Sequence, residues 1–181
     1  TNQSEWRAWL QKNHSLKQAV WVVFYNKNSK KPTISWSSAV DEALCFGWID
    51  SKKIAIDKEK SHQFFSKRKV KGTWSKINKE KILKLIESGM MTQAGLDIIE
   101  TAKQNGSWTI LDEVEELIIP KDLEKALNNT ENAMDYFLGL SKSVKKMMLQ
   151  WIVMAKREET RQHRINEIVT HAANKQRPKN F

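Results

Sequence analysis

Ala39-Val40-Asp41-Glu42-Ala43-Leu44-Cys45-Phe46-Gly47-Trp48-Ile49-Asp50-Ser51 reads as the end of a buried helix, a glycine stop and the start of a strand. Upstream, Trp36, Ala39, Val40, Ala43 and Leu44 recur at helical spacing, and Ser35 stands where an N-cap belongs. Gly47 occupies the position after the helix at which a left-handed backbone ends it. Downstream, Trp48 to Asp57 predicts a strand, with Trp48, Ile54 and Ile56 on one parity. Asp57-Lys58-Glu59-Lys60 is turn-like, and Ser61 to Lys67 returns as the antiparallel partner. With the β-branched and aromatic run Ala19 to Tyr25, three strands are predicted. So small a sheet needs helices to cover it.

The remainder reads as helical. Ser4 is the expected cap of a first helix bearing Trp6, Trp9 and Leu10. Ser75 or Asn78 caps one with Ile82, Leu85 and Ile86, and Thr92 caps one with Leu96, Ile99 and Ala102. An acidic connector from Leu111 to Ile119 leads to Pro120, a good helix opener. Beyond it the expected helices are Leu123–Asn128, Glu131–Leu138 capped by Thr130, Ser143–Lys156 capped by Ser141, and Arg161–Ala173 capped by Thr160. The tail Lys175 to Lys179 is expected to be disordered. The fold class is therefore α+β. An α+β domain with a small antiparallel sheet covered by helices spans residues 1–110, and an all-α domain spans 111–181.

The formal charge of +10 is unevenly spread. Residues 52–84 carry twelve basic and three acidic side chains, residues 85–135 three and eleven, and residues 136–181 ten and three. Such asymmetry fits an anionic ligand or partner, or an acidic middle segment packed near two basic ones. Cys45 stands alone, so no intrachain disulfide forms, and a reducing, cytoplasmic setting is expected. No membrane span and no signal peptide are expected.

Most catalytic chemistry finds no constellation. Cys45 lies near a helix C-terminus, where the dipole raises a thiol pKa, and none of His14, His62, His163 and His171 is placed by spacing to serve it. His163 and His171 are eight apart, too far for one metal face, and no glycine-rich phosphate loop exists, so no metal and no cofactor are expected. Asp41 and Glu42 are adjacent on a helix and point apart. Asp50 shares the face of Trp48 and is either an acid–base group or the salt-bridge partner of Arg68. Lys67-Arg68-Lys69-Val70-Lys71-Gly72-Thr73-Trp74 joins basic residues to an aromatic, a workable single-strand nucleic-acid mode. Phe64 and Phe65 must face opposite sides, and Trp74 also reads as a packing staple. Arg161 and Arg164 line one helix face, which suits an anionic surface or a solvated one.

Several blocks together resemble the YdeI/OmpD-associated, or bacteriocin-protection, family. They are Glu42 to Ser51, Trp74 to Asn78, Gly89 to Leu96, Ala102 to Trp108, Trp151 to Lys156 and Glu159 to Ile165. The resemblance runs from about Trp6 to Ala173 and departs at Ser66-Lys67-Arg68, where the family usually shows Thr-Pro before the arginine. It implies a cytoplasmic bacterial protein linked to stress or antimicrobial-peptide resistance, with no catalytic residues to carry over. The back half resembles the family's C-terminal domain.

The expectation is thus a non-enzymatic protein that binds an anionic ligand or protein partner where Trp48, Asp50 and Ser51 meet Arg68, Trp74 and Ser75. A single-stranded nucleic-acid module over 67–74 and an enzyme using Asp50 as acid or base are the alternatives.

Overall fold

A computed structural model of the protein describes residues 2–26, 28–178 and 181. The chain forms two units, residues 1–108 and 109–181. The first contains α1 (Gln3–Asn13), β1 (Ala19–Tyr25), α2 (Trp36–Cys45), β2 (Trp48–Ala55), β3 (Lys60–Lys67), α3 (Lys76–Glu87) and α4 (Gln93–Gln104).

The three strands form an antiparallel sheet in the order β1-β3-β2. The β1–β3 register is unbroken, from Ala19 opposite Ser66 to Tyr25 opposite Lys60. The β2–β3 register slips between Asp50 and Lys53, because Asp50 faces Phe65 while Lys53 faces Gln63. One extra β2 residue makes a bulge, so the single parity expected for Trp48, Ile54 and Ile56 fails. Trp48 is fully buried, while Ile56 lies beyond the strand and is exposed.

Helices α1 and α2 supply the cover that the sheet requires. Trp6 stacks on Trp9 at 5.3 Å and meets Phe65 at 5.3 Å, and Trp9 meets Trp48 edge-on at 5.9 Å. The Trp6 indole donates to the Ala39 carbonyl at 3.0 Å. Such buried rings hold much of the core, provided the polar N–H is satisfied in this way. Ala39, Val40, Ala43 and Leu44 are buried as the spacing predicts, but Trp36 is 51% exposed. Its indole donates to Asp50 instead of entering the core. Ile86 and Leu96, both expected inside, are exposed.

Gly47 ends α2 with φ +71°, as a left-handed C-terminal glycine should. Gly95 has a different reason: a Cβ there would stand 2.3 Å from the Cys45 carbonyl, so only glycine lets α4 meet the end of α2.

The second unit contains α5 (Asp112–Glu115), α6 (Lys121–Asn128), α7 (Ala133–Gly139), α8 (Lys142–Val153) and α9 (Glu158–Ala173). Its core includes Leu123, Leu127, Phe137, Met148, Leu149, Ile152, Ile165 and Ile168. The acidic connector holds the short α5, whose Val114 is buried. Several termini differ from expectation. Asn2, not Ser4, caps α1, accepting from the Glu5 N–H. Helix α7 begins after Asn132, whose φ of 61° interrupts the expected start at Glu131. Helix α9 begins three residues early because Glu158 and Glu159 suit the positive end of its dipole. The tail is ordered in its described part, with Pro178 buried and Phe181 against Trp151 at 5.4 Å; Lys179 lies outside the described residues.

Candidate functional site

The turn from α2 into β2 and the end of β3 meet at Gly47, whose carbonyl accepts from the Arg68 N–H at 2.9 Å. A cavity of about 260 Å³ opens there, lined by His14, Ser15, Phe46, Gly47, Trp48, Lys67, Arg68, Ala94 and Ile98. Its wall contains three basic side chains and no carboxylate. Lys67 Nζ donates to the Ser15 carbonyl at 2.8 Å, and the Trp48 indole donates to the His14 carbonyl at 3.3 Å. His14 Nδ1 faces the Leu10 carbonyl at 2.9 Å, which fixes the proton on Nδ1 and leaves Nε2 as the second ring nitrogen.

Arg68 is the unusual member. It is 8% exposed, its guanidinium lies 3.5 Å over the Trp74 ring, and Nη1 donates to the Thr73 carbonyl at 3.1 Å. Nε and Nη2 are buried with no hydrogen-bond partner. Burial pushes its pKa down to about 10, with the Asp50 charge opposing, so it remains a cation at neutral pH.

The six predicted residues divide. Trp48 and Arg68 line the cavity, and Trp74 and Asp50 act on Arg68 through stacking and charge. Ser51 is exposed at the bulge, where its carbonyl accepts from Gln63 Nε2 at 3.3 Å. Ser75 caps α3, accepting from the Asn78 N–H. Neither serine lines the cavity. Asp50 makes no ion pair with Arg68 among the described residues. Its Oδ2 accepts from Trp36 Nε1 at 2.9 Å and from Gln63 Nε2 at 3.2 Å. Trp36 and Gln63 belong to a second cavity of about 570 Å³ toward the hairpin end, which Lys53, Lys58, Lys60, Asp57 and Glu59 also line. Its mixed charge makes it the poorer match for an anion.

Of Phe64, Phe65 and Trp74, the rings in and before the basic segment, only Phe64 is not buried, and this half-buried ring packs against Trp21 at 4.9 Å. Trp74 is buried and packs on Trp108 at 5.0 Å, and Phe65 is fully buried. Arg161 is bound by Asp122 at 2.6 and 2.9 Å, and Arg164 donates to the Trp151 carbonyl and lies over that ring. Both arginines are thus engaged in packing the second unit. Cys45 is buried, and burial pushes its thiol pKa up. No group of three His, Cys, Asp or Glu side chains arranged for a metal ion occurs among the described residues. No helix among them is long and apolar enough to cross a membrane.

Sequence reasoning missed His14 and Ile98 as parts of the site, because neither lies near Gly47 in the chain. Glu42 has partners that its position in the chain does not suggest. It is 1% exposed and held by Arg7 at 2.6 Å and Gln3 at 2.7 Å. Adjacent carboxylates on a helix do point apart: Asp41 goes to Lys81 and Glu42 to Arg7.

Residues 1–98 match the family model described as domain of unknown function (DUF8412). Residues 116–175 match the model described as Bacteriocin-protection, YdeI or OmpD-Associated. The resemblance read over nearly the whole chain thus holds in the second unit, while the Glu42–Ser51 block falls within the other model. No curated protein and no solved structure matches the chain.

Proposed function

The chain belongs to the family described as domain of unknown function (DUF8412), and on that premise we propose that it binds a small organic anion rather than catalysing a reaction. The binding site is the cavity at Gly47. The observation that carries this is Arg68: the residue lines a cavity whose wall holds no carboxylate, and its buried guanidinium keeps two nitrogens without partners. Phe46, Trp48, Ala94 and Ile98 supply apolar wall, so the ligand class is an anionic head with a small apolar body.

Unit charge supports this. The first unit has nineteen basic and ten acidic side chains, a net +9, against twelve and eleven in the second. Glu42, Asp41 and Asp57 are turned to Arg7, Lys81 and the hairpin turn, leaving Lys52, Lys58, Lys69 and Lys71 exposed around the sheet. Such a field raises the encounter rate with anions and weakens with salt. The description of the model matched by residues 116–175 supports a role in bacteriocin protection. The lone, buried Cys45 supports a reducing, cytoplasmic setting.

Titration with inorganic phosphate, followed by NMR of the Trp48 indole and backbone amides, tests the site. The expected result is saturable shifts at His14, Trp48, Lys67 and Arg68, reduced about tenfold in affinity by Lys67→Ala, a loss of about 1.4 kcal/mol. Shifts spread over the exposed lysines, with Lys67→Ala unchanged, contradict it.

A further inference from the structure

The two edges of the sheet are unequal. β2 carries Lys52, Lys53 and the bulge, three devices that discourage further strand pairing. β1, Ala19-Val20-Trp21-Val22-Val23-Phe24-Tyr25, carries no charge, no proline and no bulge, and Trp21 is 40% exposed. The direction of its main-chain groups follows from three bonds. Lys67 N–H donates to the Gln18 carbonyl and Asn26 N–H to the Glu59 carbonyl, so even-numbered residues face β3. Tyr25 N–H donates outward to Thr33 Oγ1 at 3.1 Å, so odd-numbered residues face away. The N–H and C=O of Trp21 and Val23 therefore point off the sheet, and no described residue bonds them. A groove of about 320 Å³ runs along this edge, between Val20–Val23 and Trp6, Trp9 and Ile34. Four consecutive strand residues line it, so the edge itself forms one wall.

We propose that β1 accepts an extended peptide as a fourth strand, one whose apolar centre is flanked by acidic residues. Backbone pairing supplies the register, and alternate side chains enter the groove against Trp6 and Trp9. The flanking charge follows from Lys17 before the strand and from Lys30 and Lys31 at its far end, where Lys31 Nζ lies 5.1 Å over Tyr25. Glu5, the one carboxylate on the groove wall, is engaged by Asn2. A second copy of the chain fits poorly. Thr33 covers the Tyr25 end, so two-fold pairing must centre on Trp21, which sets Lys17 of one copy against Tyr25 and Lys31 of the other. This edge is separate from the cavity at Gly47.

The test uses a nine-residue peptide with alternating Val and Thr over its central five residues and two Glu at each end. It is compared with the same peptide ending in Lys and with one N-methylated at alternate central amides. Binding is read by hydrogen exchange of the Trp21 and Val23 amides. Protection by the Glu peptide, with affinity at least about tenfold weaker for the other two, is expected. Val23→Pro deletes an outward N–H without touching the β3 ladder and should abolish protection. Equal binding of the Lys peptide, full binding of the N-methylated peptide, no protection by any peptide, or concentration-dependent dimerisation that buries these amides overturns the proposal.

Discussion

At Arg68 a stack on Trp74 and one bond to the Thr73 carbonyl stand against two buried nitrogens without partners. A desolvated cation–π contact contributes about 2 kcal/mol, whereas each unsatisfied buried donor costs about 1–3 kcal/mol. The fold alone gains little from this charge. Arg68→Ala, the obvious variant, also empties packed space and so confounds charge with volume. Glu42 shows the opposite balance, because Arg7 and Gln3 satisfy it. Glu42→Ala should cost about 3 kcal/mol in denaturant unfolding, at the lower end for a broken buried pair because Arg7 is a third exposed. Cys45 should resist a thiol reagent at pH 8 and react only as the protein unfolds, since burial disfavours its thiolate; prompt modification of the native protein would contradict this. That Cys45 is buried was legible from its place on the apolar helix that ends at Gly47. That Glu42 meets Arg7 was not, because the partners lie 35 residues apart.

Elements were legible where a local rule acts alone. Ser35, Thr92 and Ser141 cap the helices assigned to them, and Gly47 ends α2. Ser75→Ala should lower stability by about 1 kcal/mol through α3, measured as a shift of the thermal midpoint. The bulge at Asp50–Lys53 escaped notice because a period-two pattern carries no mark of an extra residue. Helical spacing predicts Trp36 inside, but Asp50 offers its indole a partner at the rim. Gly95 is a tertiary requirement invisible in a single sequence. Gly95→Ala forces α4 away from the Cys45 carbonyl and should cost about 1–3 kcal/mol or more; a melting temperature within error of the parent would contradict the close approach.

For the whole molecule, the α+β front and helical back were legible because hydrophobic periodicity changes along the chain. Of the residues expected at one corner, Trp48 and Arg68 line the candidate cavity, whereas its His14 and Ile98 come from other elements that no local pattern ties to Gly47. In the second unit, Arg161 holds the Asp122 carboxyl below the usual carboxylate range. A folded-state pKa depressed in this way adds stability at neutral pH, which is lost as pH falls from about 4 through the depressed value. Asp122→Asn should therefore flatten the acid limb of the stability–pH curve, and an unchanged limb would discount the pair. In the proposed binding role, Arg68 is kept for an anion and not for the fold. Arg68→Met retains volume and removes charge, so phosphate affinity and melting temperature measured on this one variant test it most directly. An unchanged or higher melting temperature with phosphate binding weakened at least about tenfold is expected, because burying an apolar side chain there is no worse than burying an unpaired charge. A lower melting temperature with phosphate affinity unchanged would contradict it.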